Sequence, residues 1–315
     1  MSEEPVSILY IVGLGRSGST LIGTMLHNVP GFACLGEMQL IWLRGWIQNQ
    51  PCACTQPFWD CPVWTSIFRR AFGGMQQADG EALNHVLQDE LRTRQLLAIW
   101  RGRRSPLTSP GLHRLAEGVT RLYRAAREET GARVIVDTSK SPIYGRFLMQ
   151  IPELELRVLH LVRDPRAVAN SFRREKIHPI TGKQVERLPL AHSAALWTAW
   201  TLASAGMRRR GGGVGNYLRV RYEDFVRRPQ EVFKEIVEFA GQEFTGSPFI
   251  GSNRVELGHN HILTGNFIRY QRGPVEIEPD WRWTSEMGAV HKTLVTGLTW
   301  PLLPFYGYPL LPKSA

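Results

Sequence analysis

The chain has 315 residues, 43% of them hydrophobic, which is enough for a substantial core and, in an α/β architecture, for one domain with insertions. A formal net charge of +10 points to an anionic partner without separating nucleic acid, lipid and small phosphorylated ligand. No charged leader with an apolar core and no unbroken apolar run of membrane length is present, so a cytoplasmic protein without stable membrane insertion is expected.

In chain order, "SILYIVG" reads as a buried strand ending at Gly13, and Leu21, Ile22, Met25 and Leu26 follow at helical spacing. Cys52, Cys54 and Cys61 crowd into "PCACTQPFWDCPVW", with Cys34 apart. Their spacing matches no standard zinc pattern and no histidine stands nearby, so no metal is expected, and a local disulfide or unpaired packing thiols both stay open. Trp42, Trp46, Trp59 and Trp64 in the same region suit either an acceptor pocket or the core.

Leu83, Val86, Leu87, Leu91 and Trp100 predict a helix over 79–101, and Leu112, Leu115, Val119 and Leu122 another over 110–130, stopped by Gly131. "RVIVD", "LRVLHLV" and "YLRVRY" read as strands, the second followed by Asp164 as a helix cap with Pro165 in the first turn. A helix from Pro229 to Ala240 comes next. Strands alternating with helices imply a parallel sheet covered on both faces. The proline-rich tail "WPLLPFYGYPLLP" is expected to pack on the body of the domain. The clusters Arg101, Arg103, Arg104 and Arg208, Arg209, Arg210 read as solvated faces, and His160, His259 and His261 have no ligand spacing of a metal site.

The loop "GLGRSGSTL" fits two phosphate-binding patterns and completes neither. As a dinucleotide fingerprint it finds Glu37 at the distance of a ribose-binding acid, but Arg16, Ser17, Ser19 and Thr20 add a cation and hydroxyls where close backbone approach is wanted. As a Walker A loop it has Ser19 in place of lysine, and no acid to hold magnesium is evident. A donor with a less charged transferable group tolerates both losses. The donor 3'-phosphoadenosine 5'-phosphosulfate (PAPS) is of this kind and needs a second site for its ribose 3'-phosphate. "LVRDPRAVANSF" offers one: Arg163 follows a strand at the ligand-binding edge of the sheet, and Ser171 lies two turns past Asp164 on the same helix face.

"GLGRSGSTLIGTML" resembles the 5'-phosphosulfate loop of PAPS-dependent sulfotransferases, and "LVRDPRAVANSF" resembles their 3'-phosphate motif, with the family's arginine-to-serine spacing of eight. "VRYEDFVRRPQEVFKEIVEFAG" and "GHNHILTGNFIRYQRG" are similar to later segments of bacterial members, near the tyrosylprotein and carbohydrate enzymes. The resemblance implies a P-loop-like three-layer α/β fold, a central parallel sheet flanked by helices. It also implies one domain over 1–315, with a helical, cysteine-containing insertion around 38–132 shaping the acceptor site.

The same resemblance implies roles. Arg16 meets the bridging side of the phosphosulfate, while Ser17, Gly18, Ser19 and Thr20 bind the 5'-phosphate. Glu37, after a family-like "GE" pair, is the base, and Lys140 in "DTSKSP" stabilises the sulfuryl group, against an ordinary salt bridge to Asp137. Tyr222, Asn266 and Arg269 touch the adenosine or the phosphates. The family's further arginine, four residues past the serine, falls on Glu175, so that contact is missing or moved to Arg174. The expected enzyme is a metal-independent sulfotransferase with PAPS as co-substrate, acting on a hydroxyl of a carbohydrate, lipid, peptide or secondary metabolite, and no nucleic-acid reading motif is present. A P-loop kinase and an NAD-binding oxidoreductase are the alternatives.

Overall fold

Strand β1 (Val6–Val12) is the middle strand of the main sheet, and its β-branched and apolar run is almost wholly buried, as a parallel sheet covered on both faces requires. The computed structural model describes residues 4–91, 109–208 and 214–310. After β1 come helix α1 (Ser19–His27) and strand β2 (Phe32–Gly36), then an insertion with a π-helical stretch (Ile41–Ile47) and helices α2 (Pro62–Phe72), α3 (Gly80–Glu90) and α4 (Pro110–Thr130). The core resumes with β3 (Val134–Lys140), α5 (Pro142–Leu148), β4 (Leu154–Val162), α6 (Pro165–Arg173), α7 (Leu190–Ala205), β5 (Tyr217–Arg221), α8 (Tyr222–Arg227) and α9 (Pro229–Phe239). A two-stranded antiparallel sheet of β6 (Arg254–Leu257) and β7 (Gly273–Glu276) and helices α10 (Trp283–Glu286) and α11 (Ala289–Thr299) complete it.

The main sheet runs β2-β3-β1-β4-β5 with every pairing parallel. In the dinucleotide-binding fold β1 lies between β2 and β4, whereas here β3 separates β1 from β2. The order is P-loop-like, and the NAD alternative loses its scaffold.

The two faces of the sheet are covered differently. On one, Trp42, Phe58, Trp64, Phe68, Leu83 and Leu115 from the insertion share a buried core with Ile8, Tyr10 and Val158. On the other, α1 and α9 bring Ile22, Met25, Phe233 and Ile236 against Leu9, Ile11 and Leu159. The helix expected over 79–101 starts under Asp79, whose side chain accepts from Ala82 N at 3.2 Å, and α3 is described to Glu90. Trp100, Arg101, Arg103, Arg104, Arg209 and Arg210 lie outside the described residues. Helix α4 has the expected bounds, with Ser109 capping, Pro110 in the first turn and Gly131 in the left-handed region.

Helix α7 gives no sequence stripe because its apolar residues spread around the whole circumference. The tail packs as expected: Leu303, Tyr306 and Tyr308 are buried with Val162, Val168 and Trp197, and the Tyr308 hydroxyl donates to Glu223 Oε2 at 2.8 Å. Among the described residues no helix is long and apolar enough to cross a membrane.

Candidate active site

The loop from β1 to α1 carries positive φ at Gly13 (140°), Arg16 (71°) and Gly18 (93°). A Cβ at Gly13 would lie 2.3 Å from Leu161 O, and one at Gly18 2.8 Å from Tyr222 Cδ2, so both glycines are required by close approach as well as by backbone conformation. Helix α1 starts at Gly18 without a side-chain cap, leaving its first-turn amides and the positive end of its dipole for an anion. Ser17, Ser19 and Thr20 are buried there. The Ser17 hydroxyl donates to Leu14 O at 2.8 Å and so braces the loop, while Thr20 Oγ1 accepts from Asn266 N at 2.9 Å.

Glu37 follows the end of β2, and its amide donates to Thr264 Oγ1 at 3.1 Å. Its carboxylate lies 2.6 Å from Lys140 Nζ, the two side chains only 13% and 16% exposed. Lys140 ends β3 at φ 66°, donates to Thr138 O at 2.9 Å, and its carbonyl accepts from Gly13 N at 3.2 Å. A carboxylate and an ammonium are thereby held beside the start of the anion loop.

The salt bridge weighed between Lys140 and Asp137 is not the one formed. Asp137 is fully buried and accepts from Tyr123 Oη at 2.5 Å and Ser139 N at 2.8 Å. Burial pushes its carboxyl up to about 6 against those bonds. Asn266 and Arg269 brace the segment behind Glu37: Arg269 is buried and donates to Gly265 O and Tyr270 Oη, both at 2.6 Å. Burial lowers its pKa, and the charge of Glu37 is among the groups that oppose this.

Arg163 stands between β4 and α6, its guanidinium 4.4 Å over the Tyr222 ring. Nη1 donates to Arg16 O at 2.8 Å, joining the two arginines that the sequence places 147 residues apart. Nη2 meets Asp280 Oδ2 at 3.0 Å, and Nε is buried without a partner among the described residues. Arg163 and Ser171 line one concavity with Asn170, Arg174 and Asp280.

Sequence reasoning missed two charged residues here. Lys176 Nζ donates to Ser171 Oγ at 3.3 Å, and burial, then Arg16, Arg174 and Arg282, lower it to about 8. Lys176 stands five residues past the serine, Glu175 pairs with Arg187 at 2.8 Å on the surface, and Arg174 Nε lies 3.9 Å from Glu286 Oε2. Asp280, which belongs to no motif, is held far below the usual carboxylate range by Arg282 first and Arg163 next, against its burial.

Other candidates resolve as packing. His160 is buried on β4, its Nδ1 2.5 Å from Tyr217 Oη, and burial lowers it to about 3. Trp42 and Trp64 are fully buried in the core, and the Trp46 and Trp59 rings pack against each other at a 50° tilt with centroids 5.5 Å apart.

A family model described as the sulfotransferase family matches residues 9–246. Carbohydrate sulfotransferase 1 of Mus musculus is 27% identical over 49% of this chain and 42% of its own length. Carbohydrate sulfotransferase 3 of Homo sapiens is 31% identical over 53% of this chain and 36% of its own. The chain thus spans less than half of these relatives. Two solved structures share the fold across 99% of the chain. The sulfotransferase domain from the Synechococcus PCC 7002 olefin synthase has a TM-score of 0.51 at 21% identity and is covered over 98% of its length. The sulfotransferase domain from the curacin biosynthetic pathway has 0.53 at 18% and is covered over 100%. With the family model spanning both the glycine loop and the "LVRDPRAVANSF" motif and the glutamate and lysine between them, the chain belongs to the sulfotransferase family.

Proposed function

We propose that this chain transfers the sulfuryl group of PAPS to a hydroxyl of a carbohydrate or another small molecule, without a metal in the chemical step. The observation that carries the reading is the Glu37–Lys140 pair, closed at 2.6 Å and joined through Lys140 O to the first glycine of the anion loop. Transfer needs an acceptor oxygen in line with the sulfur, a base for its proton and positive charge where the leaving phosphate gathers electrons. Glu37 takes the proton as the acceptor oxygen bonds to sulfur and the bond from sulfur to the 5'-phosphate oxygen breaks. Lys140 faces the sulfuryl oxygens, and Arg16 meets the charge left on the phosphate.

The uncapped start of α1 suits the 5'-phosphate, with Ser17, Gly18, Ser19 and Thr20 around it. Arg163, with its unpartnered Nε, and Ser171 with Lys176 suit the 3'-phosphate, a second anion that an ATP-dependent kinase does not need. Tyr222 closes the loop from the side of Gly18, and Asn266 and Arg269 position the site from behind. The insertion over 38–132, within a single domain, shapes the acceptor side, and the names of the carbohydrate-specific relatives support a sugar hydroxyl there.

Thermal-shift titration with 3'-phosphoadenosine 5'-phosphate, NAD and Mg-ATP tests the donor. A ligand at a hundred times its dissociation constant adds about 2.7 kcal/mol, and that shift is expected from the bisphosphate alone. Stabilisation by Mg-ATP, with none by the bisphosphate, returns the chain to the kinase reading. Product analysis with labelled PAPS and a panel of oligosaccharides then tests the acceptor.

A further inference from the structure

Outside the donor site, three thiols and an imidazole converge where the insertion meets the segment behind Glu37. Cys52, Cys54, Cys61 and His261 place their ligand atoms within 4.8 Å of one another. Cys61 Sγ lies 3.6 Å from Cys52 Sγ and 3.7 Å from Cys54 Sγ. His261 Nδ1 is 3.2 Å from Cys61 Sγ and 3.9 Å from Cys52 Sγ. A tetrahedral zinc ion with bonds of about 2.3 Å to sulfur and about 2.0 Å to nitrogen has sulfur–sulfur edges of about 3.8 Å and sulfur–nitrogen edges of about 3.5 Å. The two sulfur separations from Cys61 fall close to the first value and those from Cys61 and Cys52 to nitrogen bracket the second, while the Cys52–Cys54 and Cys54–His261 pairs lie within 4.8 Å.

We propose that Cys52, Cys54, Cys61 and His261 form a structural zinc site. Three soft thiolates and one imidazole in a tetrahedral array select zinc over the hard, oxygen-seeking cations. Binding converts three thiols to thiolates and releases their three protons, with neutral His261 donating through Nδ1. Four protein ligands close the coordination sphere, so the ion holds structure and offers no open position for catalysis.

Backbone hydrogen bonds bring the ligand-bearing segments together. Residues 51–57 form a tight turn, with Cys52 N donating to Gln56 O and Thr55 N to Cys52 O, both at 2.9 Å. Cys61 stands at the start of α2. His261 is fixed from behind by Trp64 Nε1, which donates to its carbonyl at 3.0 Å, and Ala53 N donates to Ile262 O at 3.0 Å. A local search of the sequence finds only the cysteines, because the fourth ligand lies 200 residues beyond Cys61.

The ion would act as a clip with a consequence for the active site. His261 precedes Thr264, which accepts from Glu37 N, and Asn266, whose amide donates to Thr20 Oγ1. Anchoring His261 to the 52–61 loop fixes the start of the segment on which both contacts depend.

The full chain, purified without chelator from cells grown with added zinc, is expected to carry about one zinc per chain by elemental analysis. Cys54→Ser, at the least buried thiol, and His261→Gln should each lose most of it. Stripped protein given Co²⁺ should bind one equivalent with the d–d bands of a tetrahedral thiolate site, and its melting temperature should rise on re-addition of Zn²⁺. Less than half an equivalent of zinc, iron in its place, a disulfide among the three cysteines in peptide mapping, or unchanged zinc content in both variants overturns the site. None of these readouts depends on donor or acceptor, so they stand apart from the proposed reaction.

Discussion

Asp280 Oδ2 sits 3.0 Å from Arg163 Nη2, so an internal carboxylate already engages the guanidinium proposed for the ribose 3'-phosphate. The same carboxylate holds Arg282 at 2.6 Å and stays ionised across the working pH range because those cations lower its pKa. An incoming phosphate must displace or share this pair.

Asp280→Asn is therefore expected to raise affinity for 3'-phosphoadenosine 5'-phosphate about three- to tenfold in calorimetric titration, by removing a like charge from the phosphate site. Arg163→Ala should lower it about tenfold or more, one charge-assisted hydrogen bond being worth about 1.5–3 kcal/mol. Adenosine 5'-phosphosulfate, which has no 3'-phosphate, should bind Arg163→Ala nearly as it binds the parent. Equal losses for both ligands would remove the assignment, and a loss for Asp280→Asn would make the aspartate an orienting group.

Glu37→Gln keeps the side-chain shape but cannot take a proton, so turnover should fall by about 10²- to 10⁴-fold. Nucleotide affinity should barely move. Arg16→Ala should damage both binding and turnover, since its cation meets the donor in the ground state and gains strength as charge develops. Steady-state kinetics and product-nucleotide titration separate these cases. If Glu37→Gln retains more than about a tenth of parental turnover, against the loss expected of a general base, the base lies elsewhere.

Lys176 is expected to give the proposed 3'-phosphate site a pH dependence. Burial and neighbouring arginines bring it to about 8, so it is cationic below that pH and neutral above. Affinity for the bisphosphate should decline as pH rises through about 8, while Lys176→Met binds more weakly at pH 7 and shows a flatter profile between pH 7 and 9. Titrations in this range avoid the second phosphate ionisation near pH 6. A profile in the variant as steep as the parent's would assign the dependence to another group.

Asp137 should leave a signature in folding stability. Its folded pKa of about 6 lies above the usual carboxylate value, so the folded state binds the proton more tightly. The stabilisation is full below about pH 4 and is lost as pH rises to about 6. Half-buried His27 and fully buried His160 act in the opposite sense, because desolvation lowers them to about 4 and about 3. The comparison must therefore be made by difference. The stability of Asp137→Asn minus that of the parent should rise between pH 4 and 6 in chemical denaturation and then level off, and a flat difference would contradict the buried carboxyl's role.

The scaffold was legible in the sequence wherever one local rule decided it. The strand before Gly13, the loop and α1 follow from an apolar run that ends in glycines, and "LVRDP" announces a strand end, a cap and a first-turn proline. Glu37 and Lys140 were legible one at a time, but their pairing is a property of the sheet, which sets β2 beside β3. Asp280 and Lys176 sit in no patterned stretch, and their roles arise from which cations the fold gathers around them. Helix α7 was missed because the sequence signal is a stripe and this helix has none. The cysteines were visible and His261 was visible; chain folding alone joins them.

The contacts of Thr264 and Asn266 reach back 227 and 246 residues, to Glu37 and Thr20. During synthesis the anion loop therefore emerges well before the brace for its neighbouring glutamate. A ribosome-bound chain stopped before residue 264 has both motifs and Lys140 but lacks the Thr264 hydroxyl that accepts from the Glu37 amide. On the proposed function, the groups that hold the donor thus precede in synthesis the contacts that position the base. Synthesis of residues 264–266 is then the event that supplies the contacts to Glu37 and Thr20.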